Sequence, residues 1–196
     1  GVLSLGKQGT RESNLRFDLS KGVTTEFWVN FNSSWTITSG PTPGNQVLFD
    51  LHNGALTSSV GYGRLLIFAT ASNDSAGVDP IRVHLASGSN VWDVGFGGST
   101  FTTSSLKDTW NHIALSFVSS STQLEAKFYV NGNLHETETN TTVAALGEIT
   151  GSLKARIGAG VFSPSGSTVA SPPAPLLADQ RDNGHSPFYG SMDEFR

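Results

Sequence analysis

The stretch TWNHIALSF (109–117) decides the fold class. Trp110, His112, Ala114 and Ser116 share one face of an extended chain; Ile113, Leu115 and Phe117 share the other. Neighbouring side chains of a strand point to opposite sides, so this alternation marks a strand with one buried face. Next come QLEAKFYV (123–130), then Asn131-Gly132-Asn133, then LHET (134–137). Asn and Gly both tolerate positive φ, and Asn-Gly between two β-rich runs is the strongest short signal for a hairpin.

Working outward, the same grammar recurs. Further strands are expected at 24–31, 46–52, 64–70, 81–87, 90–96, 153–159 and 188–195. In TTEFWVNF (24–31), Thr25, Phe27, Val29 and Phe31 form one face against Glu26, Trp28 and Asn30. Helical periodicity is lacking, with TVAALGEI (142–149) good for one short turn at most. Many short strands between turn-forming residues predict an all-β, two-sheet antiparallel sandwich or jelly roll. The 196 residues suit one such domain, 1–196. Two loops stand out: GPTPGN (40–45) and the Pro-rich connection 163–187, the latter read as a surface insertion or a binding arm.

Composition removes several classes of function. There is no cysteine, so disulfides, zinc-thiolate sites and thiol nucleophiles are excluded together. Twelve scattered Lys and Arg against 16 Asp and Glu leave no basic stripe for nucleic acid. No window approaches the ~18 consecutive apolar residues of a membrane span.

Five pieces in order carry a family resemblance: Phe27-Trp28-Val29; Trp110-Asn111-His112-Ile113-Ala114; Tyr129-Val130-Asn131-Gly132; Arg156-Ile157-Gly158; and Phe188 through Gly190, Met192, Asp193, Glu194 and Phe195 to Arg196. Together they resemble the laminin-G-like branch of the concanavalin A-like lectin/glucanase jelly rolls. The resemblance implies ligands on a concave sheet face or rim loops, and a final strand FYGSMDEF (188–195) near the N-terminal strand. It also implies a structural Ca²⁺ with Asp193 as ligand, beside the plainer reading of Asp193 bonded to a backbone amide or an Arg. The superfold hosts lectins, adhesion modules and glycosidases, so it does not choose among functions.

Catalytic patterns fail when tested. The Glu-x-Asp-x-x-Glu run of the related glucanases is missing; HETET (135–139) supplies only Glu136 and Glu138, read as solvated beside a hairpin. Asp193 and Glu194 are adjacent on a strand and would face opposite ways. No nucleophile elbow, metalloprotease motif or phosphate loop occurs, and no catalytic residues are assigned. His52, His84 and His135 carry no distinguishing context.

The expectation is therefore a non-catalytic module that binds carbohydrate or a glycoprotein surface. Sugar sites pair an aromatic platform with hydroxyl-binding Asn or Asp. Trp35, Trp92 and Asp93 are the candidates, while Trp28 and Trp110 read as packing within the sandwich. The alternative is an assembly domain, on a virus particle or an adhesin, that docks as an oligomer; a glycosidase ranks third. Either leading reading expects an extracellular, cell-surface or virion-surface location.

Overall fold

The structure is a computed structural model and describes residues 2–4, 17–34, 46–53, 62–70, 79–98, 100–143, 146–149, 151, 153–160 and 188–196. Trp35 and the loops 40–45 and 163–187 lie outside the described residues. The strands are β1 (Val2–Ser4), β2 (Val23–Phe31), β3 (Gln46–His52), β4 (Gly63–Ala69), β5 (Ile81–Ser87), β6 (Asn90–Phe96), β7 (Asn111–Ser119), β8 (Leu124–Val130), β9 (Asn133–Asn140), β10 (Lys154–Ile157) and β11 (Gly190–Asp193). They form two sheets. Sheet I has six strands in the order β1-β10-β3-β4-β5-β6, and sheet II has five in the order β11-β2-β7-β8-β9. Every pairing between these strands is antiparallel.

The core is what the alternation in the sequence prescribes. Phe27, Val29 and Phe31 of β2, Ile113, Leu115 and Phe117 of β7, and Leu124, Ala126 and Phe128 of β8 face inward from sheet II. Phe49 and Leu51, Leu65 and Ile67, Val83 and Leu85, and Trp92 and Val94 meet them from sheet I. Each Val, Leu, Ile or Phe among them, fully withdrawn from water, contributes about 1.5–3 kcal/mol. A bulge between Val47 and Phe49 lets Leu48 as well as Phe49 reach the core. Where TVAALGEI suggested a short turn of helix, Glu148 instead bridges Asp18 and the Ile149 amide donates to Phe17.

The Asn131-Gly132 turn joins β8 to β9 with φ of 51° and 80°, the two positive values of a type I′ turn. Past it, Glu136 and Glu138 pair with Phe128 and Ala126, so they sit on the core side of the edge strand β9. They are half-buried, not solvated as the sequence suggested. The β-bulge between Phe128 and Tyr129 sets this register, which the sequence gives no way to foresee.

The C-terminal strand also departs from expectation. β11 pairs with β2 in sheet II, whereas β1 pairs with β10 in sheet I, so first and last strands lie in different layers. β11 is held there by the core: Phe195 stacks on Phe27 at 5.6 Å and meets Phe49 at 4.8 Å. Phe188 sets its edge on Phe31 at 5.0 Å. Glu194 has φ 48°, which breaks the pleat after Asp193 and ends the simple alternation on which the opposite-face reading relied.

Candidate functional site

The outer face of sheet I, turned away from the core, is unusual in chemistry. Residues directly opposed in antiparallel strands share a face, so the pairing register reads out its rows. One row runs Arg156, Asp50, Leu66, His84, Asp93 from β10 to β6; the next runs Lys154, His52, Arg64, Ala86, Val91. Strands lie about 4.8 Å apart, so each row spans roughly 19 Å. Phe68, Arg82 and Gly95 begin a third row.

Among the described residues, each buried Asp, Arg and His (Asp50, His52, Arg64, His84) lies on this face. At its centre Arg64 grips Asp50 with two parallel hydrogen bonds, Nε to Oδ1 at 2.9 Å and Nη2 to Oδ2 at 3.0 Å. The buried Tyr62 hydroxyl favours the Arg64 charge as well. Burial opposes the guanidinium charge, but Asp50 and Tyr62 more than offset it and raise the Arg64 pKa. Burial likewise lifts Tyr62 above the usual phenol range. His52 is held below the ordinary imidazole value, chiefly by burial; Asp50 opposes this, and Arg64, Lys154 and Arg156 add to it. On the β6 side, His84 Nδ1 sits 2.7 Å from Asp93 Oδ1, with His84 buried and the Asp93 carboxylate half open to solvent. Val47, Leu66 and Phe68 form a separate buried cluster on this same face, so its open parts are the β10 flank and the β6 flank.

The candidates named from sequence are distributed as follows. Asp93 stands on the β6 flank of this face, but Trp92 is 7% exposed and belongs to the core on the other side of the strand. The two do not form a shared surface. Asp193 is exposed on sheet II, pairs in register with Trp28, and accepts the Glu194 amide at 2.8 Å. A hard cation needs six to eight oxygen ligands. Among the described residues no group of three or more His, Cys, Asp or Glu could hold a metal, and β1 lies in the other sheet.

Trp28 and Trp110, read from sequence as sandwich packing, are 36% and 44% exposed. Trp28 lies on the outer face of sheet II, 5.3 Å from the His112 ring, and His112 Nε2 lies 3.6 Å from Glu26. Arg196 reaches Glu26 at 3.5 Å and Glu194 at 3.9 Å. The sequence reading missed Asp50, His52, Arg64 and His84. The available signal was their position: single polar residues of one parity inside otherwise apolar runs such as QVLFDLH (46–52) and RLLIFAT (64–70).

No family model matches the chain, and no curated protein matches it. Solved structures do resemble it. The CBM40 of the Ruminococcus gnavus IT-sialidase is 18% identical, with 92% of this chain and 83% of that chain covered and a TM-score of 0.49. Alginate lyase vAL-1 from a Chlorella virus is 13% identical, with 69% and 61% covered and a TM-score of 0.44. The SAP-like pentraxin of Limulus polyphemus is 11% identical, with 100% and 73% covered and a TM-score of 0.43. These likenesses concern fold alone. By its strand order and two antiparallel layers, the chain is an all-β, two-sheet antiparallel sandwich.

Proposed function

We propose that this protein is a non-catalytic binding module that takes carbohydrate on the outer face of sheet I. The observation that carries the reading is the concentration of buried Asp, Arg and His side chains on that face. A buried ion pair is a poor source of stability, because desolvation consumes most of the Coulombic gain. Buried titratable groups gathered on one surface, with His52, Tyr62 and Arg64 shifted from their ordinary pKa values, make that surface a functional-site candidate. Sugar hydroxyls both donate and accept, and they match an exposed carboxylate such as Asp93, which the buried His84 holds in place. The bidentate hold of Arg64 on Asp50 supports a binding role, since a carboxylate so engaged is not available to move protons.

The test is a glycan array probed with the purified protein and with Asp93→Asn, in calcium and again in EDTA. Binding to a defined saccharide class that Asp93→Asn weakens about tenfold supports the proposal. A blank array, or binding that Asp93→Asn leaves untouched, counts against it. A difference between the calcium and EDTA arms would point to a metal at or near Asp193.

A second reading has its own observation. Trp28, Trp110 and Leu134 are exposed large side chains on sheet II, with Tyr189 exposed beside β11, and exposed apolar surface of this kind marks protein contacts. An assembly role on a larger particle or adhesin would use them. Sedimentation of the purified protein separates the two: a stable oligomer dispersed by Trp28→Ser favours assembly, and a monomer favours the module.

A further inference from the structure

The β10 flank of the sheet I face carries an excess of positive charge. Among the residues of β10, β3 and β4 the charged side chains are Lys154, Arg156, Arg64 and Asp50: three cations against one carboxylate, in a chain of net charge -4. All four lie on the outer face by register. Asp50 is fully engaged by Arg64. Neither Lys154 nor Arg156 has a hydrogen-bond or ion-pair partner among the described residues. Arg156 is half-buried and Lys154 exposed, two positions apart on one strand and so about 7 Å apart along it. The field they make reaches the interior: with Arg64, both contribute to holding His52 below its ordinary pKa, after burial.

From this we infer that the saccharide is anionic, and that Arg156 and Lys154 receive its carboxylate or sulfate group at the β10 flank. The inference rests on the binding face proposed above and names the ligand class for it. A planar guanidinium takes a carboxylate or sulfate through paired N–H donors, and the neighbouring ammonium adds a point charge. Both cations stand beside a row of groups that cannot neutralise them: Asp50 is spent on Arg64, and Asp93 lies at the far end, four strands away.

The test compares uronic, sialylated, sulfated and neutral glycans on one array, then measures affinity for the strongest binder by calorimetry. The variants are Arg156→Gln with Lys154→Gln, and, as a control of equal charge change on other surfaces, Lys21→Gln with Lys127→Gln. The expected result is binding confined to anionic glycans, weakened about tenfold or more by the Arg156/Lys154 pair and spared by the control. The carboxylated and sulfated arms then say which anion is preferred. Binders that are neutral, sensitive to Asp93→Asn and indifferent to Arg156 and Lys154 would overturn this inference and leave the binding face standing. Equal loss in the control would overturn it as non-specific attraction. No binder of any class would overturn both.

Discussion

Arg64 and Asp50 show what a single pair of residues reveals. Both are buried on the sheet face that does not line the main core, where a pair of apolar side chains would pack at lower cost. Removing one partner strands a buried charge. Asp50→Asn or Arg64→Met should therefore destabilise the fold by about 3–5 kcal/mol in urea titrations. Replacing both together, Asp50→Leu with Arg64→Met, should recover most of that loss while abolishing saccharide binding. Recovery of binding along with stability would reduce the pair to a packing device. The residue scale is also where the sequence is least explicit. An Asp in QVLFDLH and an Arg in front of LLIFA look like interruptions of apolar runs; only the register shows that they meet.

At the scale of the element, β9 illustrates how an edge strand is managed. Its core-side residues are Glu136 and Glu138, and an inward-pointing charge on an edge strand discourages pairing with another chain. Glu136 accepts the Gly97 amide at 2.9 Å, tying β9 to the end of β6 where the two sheets come close. Glu138 is pushed above the usual carboxylate range by burial first, then by Glu136 and Asp79; Asp79 is raised by burial and Glu136 against the pull of Arg82. A carboxyl whose folded pKa is raised stabilises the fold fully below its ordinary pKa and loses that contribution as pH rises through the raised value. Glu138→Gln should thus match the parent near pH 4 and melt higher at pH 7, by about 1–2 °C given solvent screening at a half-exposed edge. A variant that melts lower at pH 7 would mean that the Glu138 charge is compensated. The strands themselves were legible because alternation and turn residues agree: β3, β5 and β6 match the runs expected at 46–52, 81–87 and 90–96. The core-side placement of Glu136 was not, because it depends on a bulge, and a one-residue shift moves a side chain to the other face.

For the whole molecule, the sequence carried the two-sheet sandwich but not the roles of its surfaces. Fold follows from local periodicity, which each strand states for itself. The proposed binding face is a relation between strands far apart in the chain, 46–52, 63–69, 81–87, 90–96 and 154–157. The same limit explains the tryptophans. Alternation pairs Trp28 with Glu26 and Trp110 with His112, yet which side of β2 and β7 meets the other sheet follows from the apolar partners, and these put both indoles outside. The molecule thus presents two chemically distinct outer faces, one charged and histidine-bearing on sheet I, one aromatic on sheet II. They can be told apart by their own histidines, since His52 and His84 lie on the first and His112 on the second. The decisive measurement is the imidazole NMR spectrum during titration with the saccharide that binds best on the array. The account predicts that His52 and His84 signals move with ligand while His112 stays fixed. Movement of His112 alone would contradict it and transfer the binding site to the Trp28 face.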